Sequence, residues 1–324
     1  MDTLSQINGT LSAELKAFNK VFREAVRSKV PLLDVIMKYI LRSKGKQLRP
    51  LFVMLSAKMH GEINESSYRA ATLIELMHTA TLVHDDVVDD SFQRRSRFSV
   101  NYLWRNKIAV LAGDYLLSRG MLLALENKEF TLLNIVSGAV RDMSEGELLQ
   151  LEKARKLDIS EEVYFQIIRQ KTASLIASCF ATGTASVTKE QDVIDNMHKI
   201  GEYAGIAFQI KDDLFDFGDG NKAGKPAGID IKEKKMTLPL IYLLSNASQS
   251  EKRRIIRIVK RYNTDEEKVK WLIQRVRESG GLDYAKQRMD EYKEKSLELL
   301  RQFPDNPGRQ SLVSMIEYLV ERDK

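Results

Sequence analysis

The chain has 324 residues, 43% hydrophobic and 30% charged, with a net charge of +6. It is therefore long enough for one large or two ordinary globular domains. No apolar run approaches the ~20 residues that span a bilayer, and the first twenty residues lack the basic start and apolar stretch of a secretory leader. A protein that does not span the membrane is expected.

In chain order, Pro31 and Pro50 fit the first turns of helices, and GKQLRP places Lys46 and Arg49 in a turn that Gly45 opens. Residues 66–86, SSYRAATLIELMHTATLVHDD, form a long helix that is apolar nearly all round. It ends in Asp85, Asp86, Asp89 and Asp90, and SFQRRSR comes next with Arg94 and Arg95. A second core helix is expected over residues 161–185, carrying Lys171 and Thr172 and the single cysteine, Cys179. That cysteine reads as a reduced core residue, consistent with the cytoplasm. The run GIAFQIKDDLFD then supplies Gln209, Asp212, Asp213 and Asp216, and residues 222–235 gather the Gly and Pro of a loop holding Lys225 and Lys235. In residues 251–263, Ile255, Ile256, Ile258 and Val259 recur at helical spacing among the basic residues. This is a solvated helix face without the interleaved aromatics of a nucleic-acid surface, and no nucleic-acid partner is expected. With six prolines and no convincing strand pattern, the expectation is a single all-α domain over 1–324.

The two aspartate clusters have one pattern and lie 127 positions apart (212 minus 85). Positions i and i+4 share a helix face, so Asp85 pairs with Asp89 and Asp212 with Asp216. Like charges about 4 Å apart repel by roughly 4 kcal/mol near a protein surface, so clusters with apolar flanks imply a cation. Hard carboxylate ligands select Mg²⁺, which takes its remaining ligands from waters and substrate phosphate oxygens. The basic groups Lys46, Arg49, Arg94, Arg95, Lys171, Lys225 and Lys235 are the complement that a metal-bound diphosphate needs. A single DDxxD string more often marks a solvated face; two in apolar settings reverse that reading. His78, two turns before Asp85, reads on spacing alone as a core histidine. His84 beside Asp85 raises a metal phosphohydrolase, for which the chain has only His60, His78, His84 and His198.

The ordered series GKQLRP, ELMHTATLVHDDVVDDSFQRR, NKIAVLAGDYLL, GELLQ, KTASL, GIAFQIKDDLFDFGD and GKPAGIDIKEKKMTLPL closely resembles the trans-prenyltransferases, the head-to-tail isoprenyl diphosphate synthases. The resemblance implies a helical bundle around a deep cavity (the isoprenoid synthase fold), a homodimer, and Mg²⁺-dependent elongation of an allylic diphosphate by isopentenyl diphosphate, with three ions per active site. Membrane contact would be at most peripheral, for product release. By motif position it makes Asp85, Asp89 and Asp212 the principal metal ligands, assisted by Asp86, Asp213 and Asp216. It assigns Lys46, Arg49, His78 and Arg95 to isopentenyl diphosphate, which displaces the core reading of His78. It assigns Arg94, Lys171, Thr172, Gln209, Lys225 and Lys235 to the allylic diphosphate, Lys171 and Lys235 acting with the metal ligands in catalysis. Lys44, Ser96 and Lys234 depart from the family's usual glycines, which affects local loop geometry and, through the extra positive charge, affinity.

Product length is read from Ala80 and Thr81, where the family's short-chain members carry bulky aromatics. Both are small here, so a cavity can continue past Met77 toward Leu73, about 18 Å from Asp85. The expected product is a long-chain polyprenyl diphosphate of the octaprenyl or heptaprenyl kind, serving a quinone side chain. The alternatives are a farnesyl or geranylgeranyl product, a terpene cyclase, or a non-catalytic synthase subunit.

Overall fold

The structure, a computed structural model, describes residues 3–42, 45–94, 97–218 and 228–322. The chain forms two compact units interleaved in sequence, one from residues 1–140, 178–198 and 303–312, the other from 141–177, 199–302 and 313–324. In chain order the helices begin with α1 (Thr3–Thr10), α2 (Ser12–Ala25), α3 (Pro31–Arg42), α4 (Leu48–His60), α5 (Glu65–Val88), α6 (Val100–Glu126), α7 (Phe130–Lys156), α8 (Glu161–Ile168) and α9 (Ser174–Ala185). The remainder are α10 (Gln191–Phe215), α11 (Ile229–Lys232), α12 (Leu238–Asn246), α13 (Gln249–Arg261), α14 (Glu266–Glu278), α15 (Gly281–Arg301) and α16 (Pro307–Glu321). Among the described residues the strands are a four-residue hairpin, β1 (Gln93–Arg94) with β2 (Arg97–Phe98). The all-α expectation holds.

In the first unit, α5 begins at Asn64, whose Oδ1 accepts the N–H groups of Ser66 and Ser67 at 2.9 and 3.2 Å. Ser67 Oγ accepts the Asn64 N–H in return, closing a capping box that fixes where the helix starts. From there 24 residues run without a breaker to the first aspartates. The helix packs antiparallel on α6, His84 against Gly113 and Met77 against Gly120. A Cβ on those glycines would meet His84 Nε2 at 2.2 Å and Met77 Cε at 2.3 Å. Both steps are seven residues, two helical turns, so α5 and α6 stay in register over this stretch. Phe52 of α4 stacks on Phe180 at 5.0 Å, and Cys179 beside it is fully buried, its thiol pushed up to about 12 by that burial.

One expectation from sequence fails at α6. Val100–Glu126 is long and apolar enough by length and composition to cross a membrane, because only Asp114 and Arg119 interrupt residues 108–125. In the first unit one face of it packs along α5, while Arg119 Nε donates to the Ala25 carbonyl at 2.6 Å and Tyr115 Oη to that of Arg27 at 2.5 Å. Its outer stripe of Leu103, Val110, Leu111, Met121, Leu122 and Leu125 is exposed.

The second unit packs around Ile210, Phe217, Leu238, Leu272 and Val276. In α13 the apolar positions split as amphipathicity requires, with Ile255, Ile258 and Val259 buried. Ile256 is exposed, because it sits one step off that stripe.

Candidate active site

The first aspartate cluster terminates α5 in the first unit. The Asp89 N–H closes the last turn on the Asp85 carbonyl at 2.8 Å, and Asp90 then takes a left-handed φ of 48° that ends the helix. Asp86 is buried, and its carbonyl accepts from Ser91 N–H at 2.9 Å and Asn101 Nδ2 at 3.0 Å. Asp85 is half-buried and Asp89 exposed. The Asp86 backbone thus anchors the loop between a half-buried Asp85 and an exposed Asp89. Ser99 Oγ donates to the Ser91 carbonyl at 2.5 Å and fixes the foot of the hairpin that carries Arg94. Arg95 and Ser96 lie outside the described residues, as do Lys44 and Lys225, and the described part of Arg94 is its backbone.

A cleft in this unit is lined by Glu75, His78, Thr79, Leu82, Val83 and Asp86 of α5, by Tyr39, by Phe98 to Val100, and by Gly45 and Gln47. Those last two residues bracket Lys46. The cleft therefore brings His78 and the Lys46 turn together, and Arg49 sits half-buried in the first turn of α4. Ala80 and Met77 do not line it; both are buried, and Met77 with Leu73 lies against Gly120.

In the second unit Asp212 and Asp213 sit in the last turn of α10 and Asp216 directly follows it, and all three carboxylates are engaged. Asp213 accepts from Tyr164 Oη at 2.7 Å and from Gln209 Nε2 at 2.8 Å, and Thr172 Oγ1 donates to Gln209 Oε1 at 2.8 Å. Burial, then the nearby Asp230, raises the Asp213 carboxyl to about 8, and burial holds the Tyr164 hydroxyl well above its ordinary value. Asp216 accepts the N–H groups of Ile229 at 2.7 Å and Asp230 at 3.2 Å, which ties the start of α11 back to α10. Asp212 pairs with Arg322.

Lys171 and Thr172 lie on a π-helical turn, Arg169–Ala173, between α8 and α9. The wider turn admits one extra residue and rotates the downstream helix by about 100° relative to a continuous α-helix. Two glycines make room for it: a Cβ on Gly146 of α7 would lie 2.8 Å from Lys171 N, and one on Gly205 of α10 would lie 2.6 Å from Ala173 Cα. A cavity in this unit is lined by Lys171, Thr172, Gln209, Asp213 and Lys235, with Gln150, Tyr164, Asp230 and Lys234. Lys171 pairs with Glu147, and Lys235 with Glu233, 4.0 Å from Asp230. Lys234 adopts φ 59°. That conformation explains why glycine suits this position, and a lysine there is mildly strained.

Sequence reasoning missed Tyr164, Asp230, Glu147 and Arg322. Asp230 lies in the motif GKPAGIDIKEKK and Glu147 in GELLQ, so both could have been found there. Tyr164 and Arg322 carry no local signal. Among the described residues no group of three or more His, Cys, Asp or Glu is preassembled to cage an ion.

Residues 30–276 match the polyprenyl synthetase family. The chain belongs to the polyprenyl synthetase family. It is accordingly a prenyltransferase with the all-α fold of these synthases. It is 34% identical to the all-trans-nonaprenyl-diphosphate synthase (geranyl-diphosphate specific) of Rhodobacter capsulatus and 33% identical to the octaprenyl diphosphate synthase of Escherichia coli, covering 99% of each chain in both cases. Among solved structures, a decaprenyl diphosphate synthase from R. capsulatus superposes with a TM-score of 0.94 at 32% identity, again over 99% of both chains. The polyprenyl synthase of Caulobacter crescentus, complexed with calcium and isoprenyl diphosphate, superposes at 0.91 with 31% identity over 99% of this synthase and 98% of that chain. The R. capsulatus names differ in product length, so the number of units in this synthase must be read from its own residues.

Proposed function

We propose that this synthase condenses isopentenyl diphosphate head-to-tail onto an allylic diphosphate, making a long all-trans polyprenyl diphosphate for a quinone side chain. The observation that carries the reading is the convergence of Lys171, Thr172, Gln209, Asp213 and Lys235 on one cavity. These residues are up to 64 positions apart in sequence (235 minus 171), and a local solvated face would not assemble them.

Mg²⁺, three ions per site, would be held by Asp85, Asp89 and Asp212 with Asp86, Asp213 and Asp216 behind them. When bound it stabilises the negative charge that develops on the departing diphosphate. Lys171 and Lys235 exchange Glu147 and Glu233 for diphosphate oxygens, and Thr172 is oriented by the Gln209 and Asp213 network. Lys46, Arg49 and His78 hold isopentenyl diphosphate, with Arg95 assigned beside them by motif. The allylic C–O bond breaks as the alkene attacks to form the new C–C bond, and the proton then lost goes to the released diphosphate. No activated protein nucleophile is required, and apolar walls keep out water that would quench the cation.

The long-chain relatives support a long product; Ala80 is small, but it is fully buried and lines neither of the cavities described. A geranylgeranyl-length product is the second reading, because Leu73 and Met77 fill the space next to Gly120. Growth beyond that point requires the flexible Met77 thioether to move. The exposed apolar stripe of α6 supports a homodimer, a second copy being its simplest cover. A cytoplasmic enzyme with at most peripheral membrane contact fits these assignments. Incubating the purified chain with Mg²⁺, farnesyl diphosphate and isopentenyl diphosphate tests the reading. Linear products support it, cyclic products indicate a cyclase, and no product indicates a subunit that needs a partner.

A further inference from the structure

Arg322 lies just beyond α16, its N–H bonded to the Tyr318 carbonyl at 3.2 Å. Its guanidinium is carried onto Asp212 in the second unit, and the side chain is only 11% exposed against 41% for Asp212. A cation so far removed from water needs a built seat, and α10 provides one. Phe208, Asp212 and Phe215 fall at i, i+4 and i+7 on a single stripe of that helix. The guanidinium sits over the Phe208 ring at 4.2 Å and lies 5.8 Å from that of Phe215 while it pairs with the Asp212 carboxylate. Planar stacking and ion pairing together are what arginine does better than lysine. Arg322 Nε is buried without a protein acceptor, so the seat serves the charge more completely than the hydrogen bonds.

We propose that Arg322 is a resident countercation of the second aspartate cluster, which a divalent metal must displace from Asp212 before the site becomes competent. The inference rests on the reading of Asp212 as a metal ligand. Two cations on one carboxylate repel each other, so the guanidinium and the metal compete for it. The pair neutralises Asp212 in the metal-free cluster, and Arg322 sets the metal concentration at which the synthase switches on.

The test is a thermal-shift titration of the full-length protein with Mg²⁺ at a fixed concentration of inorganic diphosphate, for wild type, Arg322→Gln, Arg322→Lys and Asp212→Asn. The readout is the half-saturating Mg²⁺ concentration rather than the melting temperature, so a merely structural role for Arg322 would leave it unmoved. Arg322→Gln is expected to lower that concentration roughly two- to fivefold, the range of a partly exposed ion pair. Arg322→Lys should return it toward wild type, and Asp212→Asn should raise it steeply. An Arg322→Gln variant that titrates like wild type, or needs more Mg²⁺, overturns the proposal while the Asp212→Asn loss leaves the metal-ligand reading standing. An unaltered titration in Asp212→Asn overturns the reading and the proposal together.

Discussion

In α5 the first aspartate cluster lies at a helix end, with Asp86 buried, Asp85 half-buried and Asp89 exposed. In α10 the same spacing produces a cluster in which Asp212, Asp213 and Asp216 are all engaged, by a guanidinium, a tyrosine with a glutamine, and two backbone N–H groups. The difference lies in what surrounds each helix end. The first cluster opens onto a hairpin whose own backbone is held by Ser99. The second is enclosed by α8 and α11, so its carboxylates have been drawn into the packing. Similar motifs therefore sit in different surroundings: the first ends a helix at a hairpin, and the second is held among side-chain and backbone partners of its own unit.

The contrast between the clusters is most open to test in turnover. Asp85→Ala and Asp212→Ala are each expected to lower it by about three orders of magnitude, the factor that several kcal/mol of lost charge stabilisation produces. Their melting should differ, however. Asp85→Ala removes a repelling charge and should leave the fold as stable as before, whereas Asp212→Ala strands the largely buried Arg322 at a cost of about 1–2 kcal/mol. Turnover and thermal melting of both variants check this; near-normal turnover in either would break the assignment of both clusters to one reaction.

A smaller effect tests the proposed assignment of the two diphosphates to different residues. Arg49→Ala should raise KM for isopentenyl diphosphate roughly 10- to 100-fold, as loss of a charge-assisted contact does, with KM for the allylic substrate little changed. Steady-state kinetics with each substrate varied in turn measure the split, and equal losses would contradict it.

How much of the fold and site is legible in the sequence depends on range. The helices, the i,i+4 carboxylate pairs and the cavity-lining Lys171, Thr172 and Lys235 come from local pattern and ordered motifs. The π turn does not, because its cause is steric and distant: Gly146 lies 25 residues from Lys171 (171 minus 146) and Gly205 lies 32 from Ala173 (205 minus 173). Arg322 is equally invisible, since a charged residue at the end of an amphipathic helix ordinarily remains solvated. The apolar stripe of α6 escapes notice because Asp114 and Arg119 break up the run to the eye while leaving its mean hydropathy high.

Two weaker effects probe the same packing. Gly205→Ala should destabilise the second unit by about 1–3 kcal/mol, since its Cβ would press on the Ala173 backbone, and should displace Lys171; chemical denaturation reads the first and KM for the allylic diphosphate the second. Cys179 gives the smallest effect at neutral pH. Its thiol is raised by burial to about 12 from an ordinary value near 9, so its contribution to stability is complete below about 9 and is lost as the pH rises from there toward 12. The native protein should resist thiol alkylation at pH 8, and fast labelling without unfolding would refute the burial.

Product length tests the central claim most directly, by chromatography of the prenyl chains made by wild type and by Ala80→Phe from farnesyl diphosphate and isopentenyl diphosphate. Wild-type chains longer than geranylgeranyl and sharply shortened chains from Ala80→Phe are expected; a wild-type enzyme that stops at farnesyl or geranylgeranyl diphosphate would contradict the long-chain assignment.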